Sequence, residues 1–85
     1  EARRPRIADP VSGTIFALDP DIPIDRQRIR VTVKGAAANH RLLLDKRDIG
    51  RAEDSPLILA GPGRHALTLV DAEGRAVDRV LFQQR

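Results

Sequence analysis

Three segments of this chain alternate apolar and polar residues, and this alternation restricts the possible folds more than any other feature of the sequence. In residues 27–34, every second residue from Ile29 is a branched apolar one, and the intervening residues are charged or polar. Residues 65–71 and 76–83 alternate in the same way. A period of two is typical of a strand with one buried face and one face in water. The sequence therefore predicts a sheet whose strands each contribute one apolar face to a core.

Four shorter apolar runs are further candidate strands: residues 6–8, 14–18, 41–44 and 56–59. Turn residues separate the runs. The sequence Asp-Ala-Glu-Gly from Asp71 fits a type I turn followed by a left-handed residue at Gly74, which predicts a hairpin. Only residues 42–52 have a helix-like spacing, which two aspartates and a glycine interrupt, so we expect a turn or a single helical turn there.

About seven short strands, without a helix-length crossover between them, predict an all-β sandwich or a small barrel. We expect an immunoglobulin-like antiparallel β-sandwich, formed by residues 1–85 as a single domain. The chain does not begin with Met and has no long apolar run or signal peptide. We therefore expect it to be a domain excised from a larger protein.

The residue types that carry chemistry are scarce. There is no Cys, which excludes disulfides, a thiolate nucleophile and a Cys-based zinc site. His40 and His65 lack the spacing of metal ligands, and we expect them at the surface or at strand ends. Ser12 and Ser55 lie in turns outside any nucleophile motif. The sequence predicts no catalytic residue, no metal site and no cofactor.

Basic residues provide the strongest candidate for a binding surface. The chain has 15 Lys and Arg against 12 Asp and Glu, a net charge of +3. The candidate binding residues are three cations on the polar side of residues 27–34, namely Arg28, Arg30 and Lys34, together with Asp45, Lys46 and Arg47 in the adjoining loop. They could bind carboxylates or phosphates. The alternative, which the interspersed acidic residues favour, is a solvated face that prevents edge pairing. We do not expect nucleic-acid binding, because two Phe are the only aromatics.

Several segments recur in the order found in one known family: residues 7–15, 28–33, 44–45, 49–50, 63–75 and 80–82. Together they resemble the C-terminal domain of bifunctional, class A penicillin-binding proteins of the 1C type. The resemblance extends over nearly the whole chain. Its most specific part begins at Gly63 and reads G-R-H-x-L-x-L-x-D-x-x-G.

The resemblance implies a parent protein that synthesises peptidoglycan. That parent would be anchored in the bacterial inner membrane by its N-terminus, and would carry a glycosyltransferase domain, a transpeptidase domain and then this module in the periplasm. The transpeptidase motifs S-x-x-K, S-x-N and K-[ST]-G are absent here, so no catalytic residue of the family falls on this chain.

The resemblance further implies an accessory role. The domain would dock an envelope protein, contact peptidoglycan or brace the transpeptidase domain. We expect it to be monomeric in isolation and to meet the membrane only through the parent's anchor. The alternative is a carbohydrate-binding module of a secreted envelope protein, which the scarcity of aromatics disfavours.

Overall fold

The computed structural model of the protein describes residues 5–23, 26, 28–35 and 39–85. These residues contain nine strands, which are β1 (Arg6–Asp9), β2 (Ile15–Phe16), β3 (Ile29–Arg30), β4 (Thr32–Lys34), β5 (Arg41–Leu44), β6 (Arg47–Arg51), β7 (Leu57–Ile58), β8 (Gly63–Val70) and β9 (Ala76–Gln84). A 3-10 turn, Ala52–Asp54, follows β6. The prediction of an all-β chain is confirmed.

The strands form one large sheet and two small ones. The large sheet has the order β2-β9-β8-β5-β6, and the small sheets pair β1 with β4 and β3 with β7. All of these pairs are antiparallel except the two-residue pairing of β2 with β9, which is parallel. The large sheet and the small sheets bury their apolar faces against one another as a sandwich.

The hairpin of β8 and β9 is the longest paired element. Its strands pair from Gly63↔Gln84 to Val70↔Ala76. Asp71 organises the turn, because its Oδ1 accepts the N–H groups of Glu73 at 3.0 Å and Arg75 at 2.9 Å. Gly74 takes a φ of 81°, the left-handed conformation that glycine adopts without steric cost. The predicted hairpin is therefore confirmed.

The core lies on the inner face of the large sheet. From this sheet it receives the alternate residues of the three central strands: Leu42, Leu44, Leu67, Leu69, Val80 and Phe82. Ile7, Ile29, Val31, Ile58 and Ala52 complete the buried cluster from the other elements. The ring of Phe16 meets that of Phe82 edge to face, with 5.8 Å between the centroids. The apolar sides predicted from the period of two are the buried sides.

The segment predicted as one strand over residues 27–34 contributes to two sheets. β3 pairs with β7, whereas β4 pairs with β1, and Val31 lies between them. The Val31 N–H donates to the Pro56 carbonyl oxygen at 3.0 Å. Ile29 and Val31 are buried and Val33 is half-buried, so the predicted alternation continues from β3 to β4 although the two strands belong to different sheets.

The expectation of a turn or helical turn over residues 42–52 is wrong for residues 47–51, which form β6. A two-residue turn at Asp45 and Lys46 joins β5 to β6, with φ values of 50° and 74°. Positive φ at both central residues is the requirement of a type I′ hairpin turn. β6 lies at the edge of the sheet and contributes no fully buried residue, which is why no apolar alternation marks it in the sequence.

Lys46→Gly is expected to stabilise the domain by about 0.5–1 kcal/mol, because a non-glycine residue at positive φ costs energy that glycine avoids. The matched control is Glu73→Gly, at an exposed turn position that lies outside the residues with positive φ. There, glycine should destabilise by a similar amount, since it only adds entropy to the unfolded chain. Urea unfolding curves should show a higher free energy of unfolding than the wild type for Lys46→Gly and a lower one for Glu73→Gly.

Candidate functional site

The structure divides the six predicted binding residues among three places. Arg28 and Arg30 are exposed on either side of buried Ile29, and they line a cleft of about 350 Å³ together with Asp9 and Phe16. Lys34 is exposed at the end of β4, where it pairs with Arg6 of β1. No carboxylate of the described residues is within ion-pair distance of Arg28, Arg30 or Lys34.

The other three predicted residues, Asp45, Lys46 and Arg47, lie at the β5–β6 turn. Asp45 Oδ1 accepts the Ala66 N–H at 2.8 Å, and its Oδ2 is 2.6 Å from His65 Nδ1. Burial by itself would raise the pKa of Asp45, but the hydrogen bonds from His65 and Ala66 lower that pKa below its usual value. Both carboxylate oxygens of Asp45 are thus engaged inside the domain, and they tie the turn to β8.

His65 links three parts of the domain. It lies near the start of β8, as expected of a strand-end histidine, but its side chain is only 11% exposed. Besides its contact with Asp45, its Nε2 is 2.8 Å from the Gly61 carbonyl oxygen, and its ring packs on Phe82 at 5.4 Å between centroids. Through these contacts His65 connects the β5–β6 turn, Gly61 and β9.

A concave surface lies on the outer face of the large sheet. Two cavities of about 520 Å³ and 470 Å³ share Asp45 and Ala66, and we call their union the outer-face trough. Ala66 and Thr68 of β8 are small and form its floor. Its apolar walls and its basic rim come from side chains of β2, β5, β8, β9 and the β5–β6 turn: Ile15, Leu43, Leu81, Lys46, Arg64 and Arg79.

The trough was not predicted from the sequence. Lys46 and Asp45 were candidates, but Arg64 and Arg79 were not. The available signal was the small size of Ala66 and Thr68 on the outward side of β8, opposite buried Leu67 and Leu69. That signal identifies a shallow place on the sheet only when the neighbouring strands are known.

Metal ligands do not converge in the part of the chain that the structure describes, where no three His, Cys, Asp or Glu side chains are grouped to hold an ion. In the same residues, no helix is both long and apolar enough to span a bilayer.

Sequence comparison identifies the family. The model of the penicillin-binding protein C-terminus family matches residues 1–82. The chain belongs to this family. The resemblance to the C-terminal domain of bifunctional penicillin-binding proteins is confirmed, and assignment to the 1C type stays a prediction. The penicillin-binding protein C-terminus domain is non-catalytic, and it belongs to an envelope protein outside the cytoplasm.

Structural comparison supports the fold of this penicillin-binding protein C-terminus domain. It is similar to a solved structure described as "Structures of Clostridium thermocellum CbhA fibronectin(III)-like modules", with a TM-score of 0.67 and 18% identity over 95% of each chain. The prediction of an immunoglobulin-like sandwich is confirmed. None of the curated proteins matches the chain in sequence.

Proposed function

We propose that this domain is the accessory module of a bifunctional peptidoglycan synthase of the 1C type, and that it docks another envelope protein to the enzyme. The parent would be anchored in the inner membrane and would hold the domain in the periplasm. Family membership supports the context. The observation that carries docking is the coincidence of exposed apolar and unpaired basic side chains on one concave surface, which is typical of protein-binding sites.

The glycan-binding alternative has less support from the aromatic residues. Sugar rings stack on exposed aromatic faces. Phe82 is buried and Phe16 is half-buried, and each ring packs against the other. The sequence contains no Trp or Tyr that could supply another such face. Peptidoglycan therefore fits this domain less well than a protein partner does.

Deleting this domain, residues 1–85 of the present sequence, from the parent synthase tests the docking role. The purified deletion variant should polymerise and cross-link the lipid-linked precursor at rates within about twofold of the wild type, since the domain supplies no reacting group. The melting temperature of its transpeptidase domain should be unchanged. In cells, site-specific cross-links between the synthase and its envelope partner should be lost, and the purified partner should bind the wild type but not the deletion variant.

Other results of this experiment would contradict docking. A large loss of either activity in the purified enzyme would place the domain in the catalytic machinery. A lower melting temperature of the transpeptidase domain, with partner cross-links retained, would favour bracing. Binding of purified peptidoglycan fragments to the 85-residue domain, with no protein cross-link affected by the deletion, would favour the glycan-binding alternative.

A further inference from the structure

We infer that the outer-face trough is the docking surface and that it binds an extended, acidic peptide segment of the partner protein, with apolar side chains between its carboxylates. This inference rests on the proposed function and deepens it, because it names the surface and the chemistry of the partner. It selects this surface over the cleft that contains Arg28 and Arg30.

The shape of the trough fits an extended chain. Ala66 pairs with Leu81, and Thr68 pairs with both Leu43 and Arg79, so the small floor residues lie between larger neighbours on adjacent strands. From Arg64 to Thr68 the floor runs along β8 for about 13 Å, at roughly 3.3 Å per residue. That length accommodates about four residues of an extended peptide lying along the strand.

The walls of the trough require apolar side chains on the partner. Ile15 and Leu81 are each 53% exposed, although the solvent face of an antiparallel sheet is normally polar. Leu81 is fixed at this place by the backbone, because its carbonyl oxygen accepts the Gly13 N–H at 2.7 Å and its N–H donates to Ser12 Oγ at 3.2 Å. A rigid strand therefore presents this side chain to a partner, with little conformational entropy to lose on binding.

The rim of the trough requires acidic groups on the partner. Lys46, Arg64 and Arg79 form no ion pair with a carboxylate of the described residues, and the one carboxylate in the trough, Asp45, is engaged by His65 and Ala66. The partner's carboxylates would meet three cations, and charge complementarity of this kind fixes register and speeds association.

Two arginines of β5 and β6, in contrast, are paired with carboxylates of the domain. Arg41 Nε donates to Asp48 Oδ2 at 2.6 Å, and Arg51 contacts Asp54 at 3.2 Å and Glu53 at 3.5 Å. Carboxylates of the domain thus engage Arg41 and Arg51, whereas the three cations of the trough, like Arg28, Arg30 and Lys34, have no carboxylate within ion-pair distance among the described residues. A second copy of the chain would bring the same cations to the same surface, and this repulsion disfavours self-association there.

Peptide binding to the 85-residue chain tests the inference. The probe is a short fluorescein-labelled peptide of alternating glutamate and leucine, and its control is the same peptide with lysine in place of glutamate. We expect the acidic peptide to bind in low salt, more weakly as salt is added, and the basic peptide not to bind. Amide chemical-shift changes should centre on Ala66, Thr68 and Leu81.

Two double charge reversals locate the site. Arg64→Glu with Arg79→Glu should weaken binding of the acidic peptide by at least about tenfold, whereas Arg28→Glu with Arg30→Glu, which changes the net charge equally, should weaken it by less than about threefold. Leu81→Ser should also weaken binding, which a purely electrostatic site would not require. If the first reversal impairs folding, as circular dichroism would reveal, Arg64→Gln with Arg79→Gln replaces it.

The contrary outcomes separate this inference from the proposed function. Absence of binding, equal effects of the two reversals, or shifts centred on Ile29 and Arg30 would overturn the trough as the docking surface. Preferential binding of peptidoglycan fragments in the trough, or dimerisation through it in sedimentation experiments, would overturn the peptide as its occupant. In each of these cases, cross-linking of the partner that is lost when this domain is deleted from the parent synthase would preserve the docking function.

Discussion

Leu67→Ala is expected to lower the free energy of unfolding of the domain by about 3–4 kcal/mol, through lost apolar burial and the cavity left behind. Leu67 is fully buried and lies on β8, paired with Leu44 on one side and Val80 on the other. A domain of this size is stable by only about 5–15 kcal/mol. The substitution should therefore remove a large fraction of the total stability.

The matched control for Leu67→Ala is Leu81→Ala on the neighbouring strand. Leu81 faces outward and is half exposed, so the same truncation should cost less than about 1 kcal/mol. Because the chain has no Trp or Tyr, urea unfolding is best followed by far-ultraviolet circular dichroism. Equal costs for the two substitutions would show that the inner and outer faces of the large sheet are assigned incorrectly.

The pair Leu67 and Leu81 also shows what the sequence could predict. The side of a strand that faces the core follows from its own alternation, which is a local property. Leu67 and Leu69 of β8, and Val80 and Phe82 of β9, lie on the apolar sides of the two alternating segments, and all four are buried. The turn between these strands could also be predicted locally, because the conformational preferences of Asp71 and Gly74 determine its geometry.

Properties that depend on distant partners could not be read in the same way. Val31 separates strands of two different sheets, yet its neighbours alternate as in one continuous strand. β6 was missed because only Ile49 and Gly50 are even half-buried there, so an edge strand resembles a polar loop in the sequence. In both cases the pairing partner, and not the local pattern, decides the structure.

The trough was beyond sequence reasoning for the same physical reason. Its residues come from β2, β5, the β5–β6 turn, β8 and β9, and only the register of these strands brings Ile15, Asp45, Ala66 and Leu81 together. The predicted exposure of Arg28, Arg30 and Lys34 followed from alternation and agrees with the structure. Their role in binding stays a prediction, and the paired charge reversals test it.

Asp45→Ala is expected to destabilise the domain by about 2–3 kcal/mol, a large effect for a side chain that is half exposed. Alanine at a φ of 50° costs about 1 kcal/mol, since Asp tolerates the left-handed conformation better than alanine does. The substitution also removes the acceptors of the Ala66 N–H and of His65, each hydrogen bond being worth roughly 1 kcal/mol. Asp45→Asn keeps the turn preference and one acceptor, so it should cost about 1 kcal/mol.

The cost of Asp45→Asn should depend on pH in a defined direction. The pKa of Asp45 is lower in the folded domain than its usual value, so its ionised form contributes stability that is fully present above the unfolded pKa of about 3.9 and is lost as the pH falls through the folded pKa. Urea unfolding at about pH 7 and at successively lower pH values should show the difference between wild type and Asp45→Asn shrinking.

Glu73→Ala removes a carboxylate from the other hairpin turn and serves as the control for the substitutions at Asp45. It should leave the unfolding midpoint near that of the wild type, because no hydrogen bond to its side chain is present among the described residues. A difference between wild type and Asp45→Asn that stayed constant or grew as the pH fell would contradict ionised Asp45 as the group that ties the β5–β6 turn to β8.

The same turn places Asp45 and Lys46 in the trough, so Asp45→Ala should also weaken binding of the acidic peptide although it removes a negative charge. Simple electrostatics predicts the opposite result, which is tighter binding of the acidic peptide. The peptide affinity of Asp45→Ala therefore tests whether the trough acts through its preformed shape.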